Sequence, residues 1–209
     1  MLTCVCGRDT QAWLKTGASD LGATILLWTG NFGSGCTGSS VPAVRARGVI
    51  PRSAFSVAEL LMDSAKVKTY NAMSLGRTDV RVYQKGIGAS SREYGVGETK
   101  IVRNRTQPPL TKKTLTFTTL MHARELENGT VLVVSRAVND PDGAMEGEVK
   151  SEILLGVNVL RPISSHECEL TSVTHVQWPL VPEYLAKSMG VKGARDFIRT
   201  LTKMEVKRE

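Results

Sequence analysis

Short segments rich in Val, Thr, Ile and Leu, with polar residues between them, recur along most of the chain and predict β-strands. Two of them, residues 24–32 and 41–50, flank the Gly/Ser-rich segment GSGCTGSS, which is typical of a hairpin with a long loop. Turn signals such as Asn128-Gly129 and the segment 140–143 separate later segments. The other predicted strands are residues 79–85, 98–107, 114–124, 130–138, 151–163 and 167–178.

Two segments instead carry apolar residues at helical spacing. In residues 56–67, Val57, Leu60 and Leu61 share one face, and Ser53 or Ser56 is expected to cap the start of the helix. Residues 182–203 predict a longer helix that begins with a proline. The apolar stripe of this terminal helix consists of Leu185, Met189, Phe197, Ile198 and Leu201.

The order of these elements predicts an α+β fold. A hairpin and a helix are followed by a long antiparallel run of strands and then by the terminal helix, which must bury its stripe against the sheet. A curved antiparallel sheet wrapped around a long helix encloses an apolar space, and a ligand is expected to bind there. No linker rich in Pro, Gly or Ser divides the chain, so we expect residues 1–209 to form one domain.

The charge balance points to an anionic partner or to none. The 209-residue chain has a net charge of +7, which suits an anionic membrane surface but equally describes a solvated basic surface. Lys and Arg are spread along the chain and aromatic residues make up only 5% of it. Because there is neither a basic arm nor a stacking platform, we expect no nucleic-acid partner.

Motifs for catalysis or metal binding are missing from the sequence. The spacing of Cys4, Cys6, Cys36 and Cys168 matches no zinc pattern, and we expect free thiols in a reducing compartment. No G-x-S-x-G, H-E-x-x-H or Walker pattern occurs. We therefore expect no catalytic residue, no metal and no cofactor. No signal peptide or membrane span is predicted, so a cytoplasmic location is expected.

Four stretches carry a resemblance to a known family. GTVLVVSRAV, VKSEILLGVNVLRPI and the stretch from Cys168 to Leu201 resemble, in this order, the second half of START domains, the steroidogenic-acute-regulatory-related lipid-transfer family. VRARGVIPRSAFSVAELLMDSAKVKTYN is similar to an upstream strand and helix of that family, and Trp13, ahead of the first predicted strand, is similar to its opening Trp. The resemblance covers roughly residues 13–204. It implies the helix-grip fold, with an apolar tunnel that holds a lipid.

The chain departs from the family pattern at several positions. Sterol-carrying members place an acidic–basic pair inside the tunnel, and Asn104 and Met121 stand at the matching positions, which favours a phospholipid or other acyl lipid over a sterol. His175 and the segment around Trp178 replace an Asp and paired glycines before the last helix, so the entrance loop is expected to be stiff. The N-terminal helix of the family is expected to be shortened.

Strand alternation assigns the candidate lining of the tunnel. Phe117, Thr119 and Met121 share one face with Leu115, and Asn104 shares one with Val102 and Thr106. Arg136 lies in the apolar run VLVVSRAV and is expected to be buried, where it pairs either with a structural carboxylate or with a lipid phosphate. The full set of predicted lipid-binding residues is Asn104, Phe117, Thr119, Met121, Arg136, Asn158, His175, Trp178, Met189 and Phe197.

The sequence as a whole predicts a monomeric lipid-binding protein that transfers one lipid at a time. The terminal helix is expected to be the lid, because Gly190 and Gly193 weaken its middle. Its basic residues Lys187, Lys192, Arg195 and Arg199 are expected to contact an anionic membrane transiently. The alternative is an enzyme on the same scaffold, similar to a polyketide cyclase or a lyase, which would need a titratable pair in the lumen.

Overall fold

The computed structural model describes residues 13–18, 25–30, 41–86, 97–109, 111–140 and 144–204. Three predicted features lie outside these residues in whole or in part: the GSGCTGSS loop, the turn at 140–143, and Cys4, Cys6 and Cys36. The strands are β1 (Trp13–Ala18), β2 (Leu26–Gly30), β3 (Ala43–Ile50), β4 (Ser74–Gln84), β5 (Thr99–Thr106), β6 (Leu115–Glu125), β7 (Val131–Ala137), β8 (Val149–Lys150), β9 (Ile153–Ser164) and β10 (Glu167–Val176).

Helices occupy both predicted regions. The first predicted helix is three pieces: α1 (Ala54–Met62), a 3₁₀ turn (Ser64–Lys66) and α2 (Val67–Tyr70). Ser53, not Ser56, caps α1, because its side chain accepts a hydrogen bond from the Ser56 backbone N–H at 3.1 Å. Asp63 ends α1 and its carboxylate accepts from the Ala65 N–H at 2.9 Å, which starts the 3₁₀ turn. The terminal helix α3 (Glu183–Lys203) confirms the predicted one.

The described strands form one curved sheet in the order β1-β2-β3-β10-β9-β7-β6-β5-β4, with β8 paired in parallel to β6. From β4 to β7, and on through β9 and β10, consecutive strands lie side by side and antiparallel, as the sequence predicted. Pairing of β10 with β3 then joins this run to the N-terminal strands. Trp13 does not precede the first strand: it opens β1, which pairs with β2 and was missed by the sequence analysis.

Turn chemistry fixes the β6–β7 hairpin where the sequence placed it. Gly129 has a φ of 74°, a left-handed conformation that glycine adopts without steric cost. The Gly129 N–H donates to the Leu126 carbonyl at 2.9 Å, and the Asn128 side chain accepts from the Thr130 N–H at 3.1 Å. This hairpin sets the register of β6 against β7, and so decides which of their residues share a face.

The helices cover one face of the sheet, called the inner face from here on. α1 packs against β6, β7, β9 and β10, whereas α3 packs against β2, β3 and β10 and also contacts α2. Gly48 in β3 allows the close approach of α3, because a Cβ there would lie 2.7 Å from Cγ2 of Ile198. The core between these layers includes Ile50, Val57, Leu160, Leu170 and Leu201, which are fully buried.

Ion pairs and hydrogen bonds organise the opposite, outer face. Asp140 accepts from Arg103 at 2.7 Å and from Thr118 at 2.8 Å. Glu148 accepts from Thr116 at 2.5 Å and from Arg105 at 2.6 Å. The hydrogen bond from Thr116 lowers the pKa of Glu148 most, with smaller contributions from the Met145 N–H and Arg105, while burial opposes the change. These contacts hold the segment after β7 against the sheet.

Within the described residues, no helix is long and apolar enough to cross a bilayer. Cys168 is a free thiol at the core, and burial raises its pKa to about 11, so it stays protonated at neutral pH.

Candidate functional site

The inner faces of β5 and β6 form one wall of the interior. The register pairs Val102 with Thr119 and Asn104 with Phe117, so these side chains share a face. Met121 and Val102 belong to the core beneath α1, which identifies this face as the inner one. The face assignment made from sequence alternation is therefore confirmed for Asn104, Phe117, Thr119 and Met121.

Uncharged polar side chains form a row across the inner face of the sheet. Thr119 in β6, Ser135 in β7, Asn158 in β9 and Ser172 in β10 lie on four adjacent strands of the inner face, and we call them the hydroxyl–amide patch. Ser172 lies directly opposite Asn158, and the other neighbours are one diagonal step apart in the register. Oγ1 of Thr119 and Oδ1 of Asn158 are buried and have no hydrogen-bond partner. Such groups cost free energy unless something binds them.

A glycine makes room for one side chain of the patch. Gly156 lies opposite Ser135, and a Cβ at this position would overlap the Ser135 hydroxyl. Gly156 therefore provides the space that the Ser135 hydroxyl occupies. Sequence reasoning identified Thr119 and Asn158 but missed Ser135 and Ser172. Alternation from Val133 and Leu170 along the same strands was the signal that could have found them.

Charged side chains also reach the inner face, which the sequence analysis did not foresee. Lys100, only 4% exposed, places its Nζ 2.8 Å from Oε1 of Glu98 and 3.1 Å from Oδ2 of Asp79. The signal was available, because Lys100 stands two residues before Val102 and therefore shares its face. Ser64 links this cluster to Arg77: it donates to Asp79 and accepts from Nε of Arg77 at 3.0 Å.

Each nitrogen of the Arg77 guanidinium has a protein partner. Its Nη2 donates to the Leu61 carbonyl at 2.8 Å, and its Nη1 lies 3.2 Å from Oη of Tyr70 and 3.6 Å from Sδ of Met121. Burial raises the pKa of the Tyr70 phenol, and the Arg77 guanidinium opposes part of that rise. Two cations and two carboxylates thus neutralise each other where the 3₁₀ turn and α2 cross β4 and β5.

The amide of Asn104 is engaged within the sheet. Its Oδ1 accepts from Oγ of Ser74 at 2.9 Å, and its Nδ2 donates to Oγ1 of Thr106 at 3.1 Å. These bonds orient Asn104 along the wall but leave one N–H and one lone pair for another group.

The apolar stripe of helix α3 is only partly buried. Only Ala186, Ile198 and Leu201 of this helix are buried, whereas the predicted stripe residues Leu185 and Met189 are only partly covered. Phe197 is also partly buried and packs edge-on against Tyr70, with ring centroids 5.9 Å apart. Part of the predicted stripe is therefore apolar surface that the rest of the protein leaves uncovered.

Two predicted site residues do not face the interior. Arg136 is exposed on the outer face, because Val131 and Val133 of the same strand point inward. The expectation of a buried Arg136 was wrong. Leu132 and Val134 are half-buried on the outer face, so the strand looked apolar on both sides. Without burial, neither the structural pair nor the phosphate contact inferred for Arg136 has support.

His175 is 1% exposed but lies on the opposite face of β10 from Ser172. Its Nε2 lies 2.7 Å from the Val41 carbonyl. Burial lowers the pKa of His175, and this hydrogen bond opposes part of the change. His175 therefore stabilises the junction of β10 with the start of β3. Trp178 lies in the turn before α3, where its carbonyl accepts from the Val181 N–H at 3.2 Å.

The arrangement suits non-covalent binding of an apolar molecule with a polar end. No group of three or more His, Cys, Asp or Glu side chains that could hold a metal occurs in the part of the chain that the structure describes. The inner face combines apolar side chains, a neutral polar patch with unpartnered atoms, and charges that neutralise one another.

Comparison with solved structures identifies the fold. The lipid transfer and protein localization domain of human StarD13 superposes with a TM-score of 0.73 over 92% of this chain and 90% of that domain, at 13% identity. The fold is the helix-grip fold of START domains. Human StAR-related lipid transfer protein 5 gives a TM-score of 0.73 at 15% identity and covers 94% of this chain and 87% of that one. A STAR-related lipid transfer protein fragment from Xanthomonas axonopodis gives 0.72 at 14% identity, covering 91% and 97%.

In contrast, no family model and no curated protein matches the sequence of the chain. The START fold is thus established by geometry, at identities where sequence similarity alone carries little information. It confirms the predicted sheet and terminal helix.

Proposed function

We propose that this protein binds one lipid molecule between its sheet and α3 and transfers it between membranes. Two observations carry the proposal: part of the apolar stripe of α3 is left uncovered by the sheet, and polar atoms buried on the inner face of the sheet lack partners. An acyl chain would cover the apolar side chains, since each buried CH₂ contributes roughly 0.8 kcal/mol relative to water. Against a bilayer this gain nearly cancels, so polar contacts must decide how tightly the lipid is held.

Mass spectrometry of lipid extracted from the native protein tests the proposal directly. We expect one acyl lipid per chain, and transfer of a fluorescent acyl lipid between vesicles that rises with protein concentration. Extracts without stoichiometric lipid, together with no uptake from vesicles, would rule the carrier out.

Membrane contact by α3 is part of this proposal. Tyr184, Lys187, Lys192 and Arg195 lie along one flank of α3, and Tyr184 is 75% exposed. Arg199 extends this flank, and its Nη1 lies 3.8 Å from Oδ1 of Asp196. Each basic residue near an anionic surface contributes about 1 kcal/mol, and salt screens that attraction. Transfer should therefore be faster from vesicles containing phosphatidylserine than from neutral vesicles, and this difference should shrink in high salt.

The enzyme alternative retains one supporting observation. The Lys100–Asp79–Glu98 cluster provides the titratable groups in the interior that such an enzyme needs. These groups pair with each other, which favours a structural role. A carrier returns its lipid unchanged, so the mass of the bound lipid after prolonged incubation distinguishes the two functions.

The lid role of α3 is tested by its two glycines, which the structure places in different surroundings. A Cβ at Gly193 would lie 3.9 Å from Cε of Met73, an ordinary contact, whereas a Cβ at Gly190 would lie 3.1 Å from Cγ2 of Val44. Gly193→Ala should stabilise the protein by about 1 kcal/mol, the difference in helix propensity. If α3 opens by local unfolding, lipid transfer should slow while equilibrium binding stays unchanged.

Gly190→Ala is the matched control. Alanine brings the same gain in helix propensity here, but its Cβ forces the Val44 side chain to move. The cost of this movement offsets the gain, so little or no stabilisation is expected. Thermal unfolding and vesicle-to-vesicle transfer are measured for both variants. A stabilised Gly193→Ala protein that transfers lipid as fast as the wild type would exclude α3 as the rate-limiting lid.

A further inference from the structure

The hydroxyl–amide patch differs from the other polar groups of the inner face. Asn104, Arg77 and Lys100 each have protein partners. In the patch, Oγ1 of Thr119 and Oδ1 of Asn158 are buried without one, and Thr119 as a residue is only 2% exposed. Two unpartnered groups on one face of the sheet, in the strands β6 and β9 that flank β7, indicate a place where a ligand supplies the missing hydrogen bonds.

The chemistry of these atoms limits what the ligand can be. An amide oxygen only accepts hydrogen bonds, so Oδ1 of Asn158 requires a donor. The hydroxyls of Thr119, Ser135 and Ser172 can donate or accept, and they adapt to a group that does both. A hydroxyl or an amide N–H on the ligand satisfies the patch, whereas an ester or a hydrocarbon chain leaves Asn158 unpaired.

An anionic head group finds no partner on this wall. Among the described residues, the cations that point inward from the sheet are Arg77 and Lys100. Each is already held by protein acceptors, and Lys100 lies between two carboxylates. Arg136, the expected phosphate ligand, lies outside. A phosphate placed on the patch would be desolvated without a counter-charge, which is costly.

We infer that the bound lipid is uncharged and carries at least one hydroxyl or amide donor, which binds at Thr119, Ser135, Asn158 and Ser172. This inference rests on the proposed carrier function and specifies the ligand class of the same site. The acyl part then extends along the apolar wall towards the open stripe of α3.

Three lipids with matched dioleoyl chains separate the head-group classes: dioleoylglycerol with one hydroxyl, its acetyl ester without a donor, and dioleoyl phosphatidate with a negative charge. Their affinities are measured by displacement of a fluorescent diacylglycerol from delipidated protein. Dioleoylglycerol should bind about tenfold more tightly than either of the others, the effect of one well-made hydrogen bond.

The double variant Thr119→Val/Asn158→Leu removes the two unpartnered atoms at nearly constant shape. It should reduce the preference for dioleoylglycerol to less than about threefold, while binding of the acetyl ester stays the same or improves. Its melting temperature without lipid should be unchanged or higher, which separates lost recognition from lost folding. Thr171→Val, on the outer face of β10, is the matched control and should retain the full preference.

The outcomes separate the two proposals. Tightest binding of phosphatidate, or equal binding of all three lipids, would overturn the inferred head-group class. An unchanged preference in the double variant would overturn the placement of the head group at the patch. Each of these results leaves the carrier intact. If neither the three lipids nor the fluorescent diacylglycerol binds, the carrier function itself is overturned.

Discussion

Replacing Lys100 by Met is expected to lower the free energy of unfolding by about 2 to 3 kcal/mol. The substitution removes the cation between Asp79 and Glu98 and leaves two carboxylates near each other at the edge of the interior. Loss of one partner of a fully buried pair typically costs 3 to 5 kcal/mol. The lower value applies because the side chains of Asp79 and Glu98 are 36% and 22% exposed, so solvent screens part of their repulsion.

Neutralising the carboxylates should restore most of this loss. The triple variant Lys100→Met/Asp79→Asn/Glu98→Gln keeps the shapes and removes every charge, so its stability should approach that of the wild type. Urea denaturation at pH 7 gives the comparison. A single variant as stable as the wild type would show that the cluster is not a structural element, and would strengthen the enzyme alternative.

Truncating Ile198 to Ala is expected to destabilise the protein by about 3 kcal/mol. Ile198 is fully buried and is the residue of α3 that meets the glycine of β3, so its removal leaves a cavity between helix and sheet. If α3 holds the lipid in place, as proposed, faster lipid release should accompany the loss. Both effects are measured on one preparation, by denaturant unfolding and by dilution of lipid-loaded protein into vesicles.

A double-mutant cycle with Gly48 tests whether this contact is the cause. Gly48→Ala alone should cost about 2 kcal/mol, because its Cβ would lie 2.7 Å from Cγ2 of Ile198 and a β-branched side chain has little freedom to move in a helix. In Gly48→Ala/Ile198→Ala the new methyl group enters the space that the truncation opens. The double variant should therefore be more stable than the sum of the two losses predicts. Strict additivity would mean that the two residues do not interact.

Local patterns in the sequence determined much of this architecture. Val/Thr/Ile-rich segments located most of the strands, and helical spacing located α3 from Glu183 to Lys203. Alternation along β5 and β6 assigned Asn104, Phe117, Thr119 and Met121 to the inner face. These inferences succeeded because each depends on neighbours along the chain: side chains alternate in a strand and repeat every 3.6 residues in a helix.

Properties that depend on pairing between distant segments were decided by the tertiary structure. The apolar run of β7 did not reveal which face is inner, and only its register against β6 and β9 placed Arg136 outside. β1 is a strand because it pairs with β2. The charges of Lys100, Glu98 and Asp79 meet because β4 lies beside β5. The hydroxyl–amide patch draws one residue from each of four strands. A strand's own sequence states which residues share a face, but burial and partners depend on the other strands and helices that cover that face.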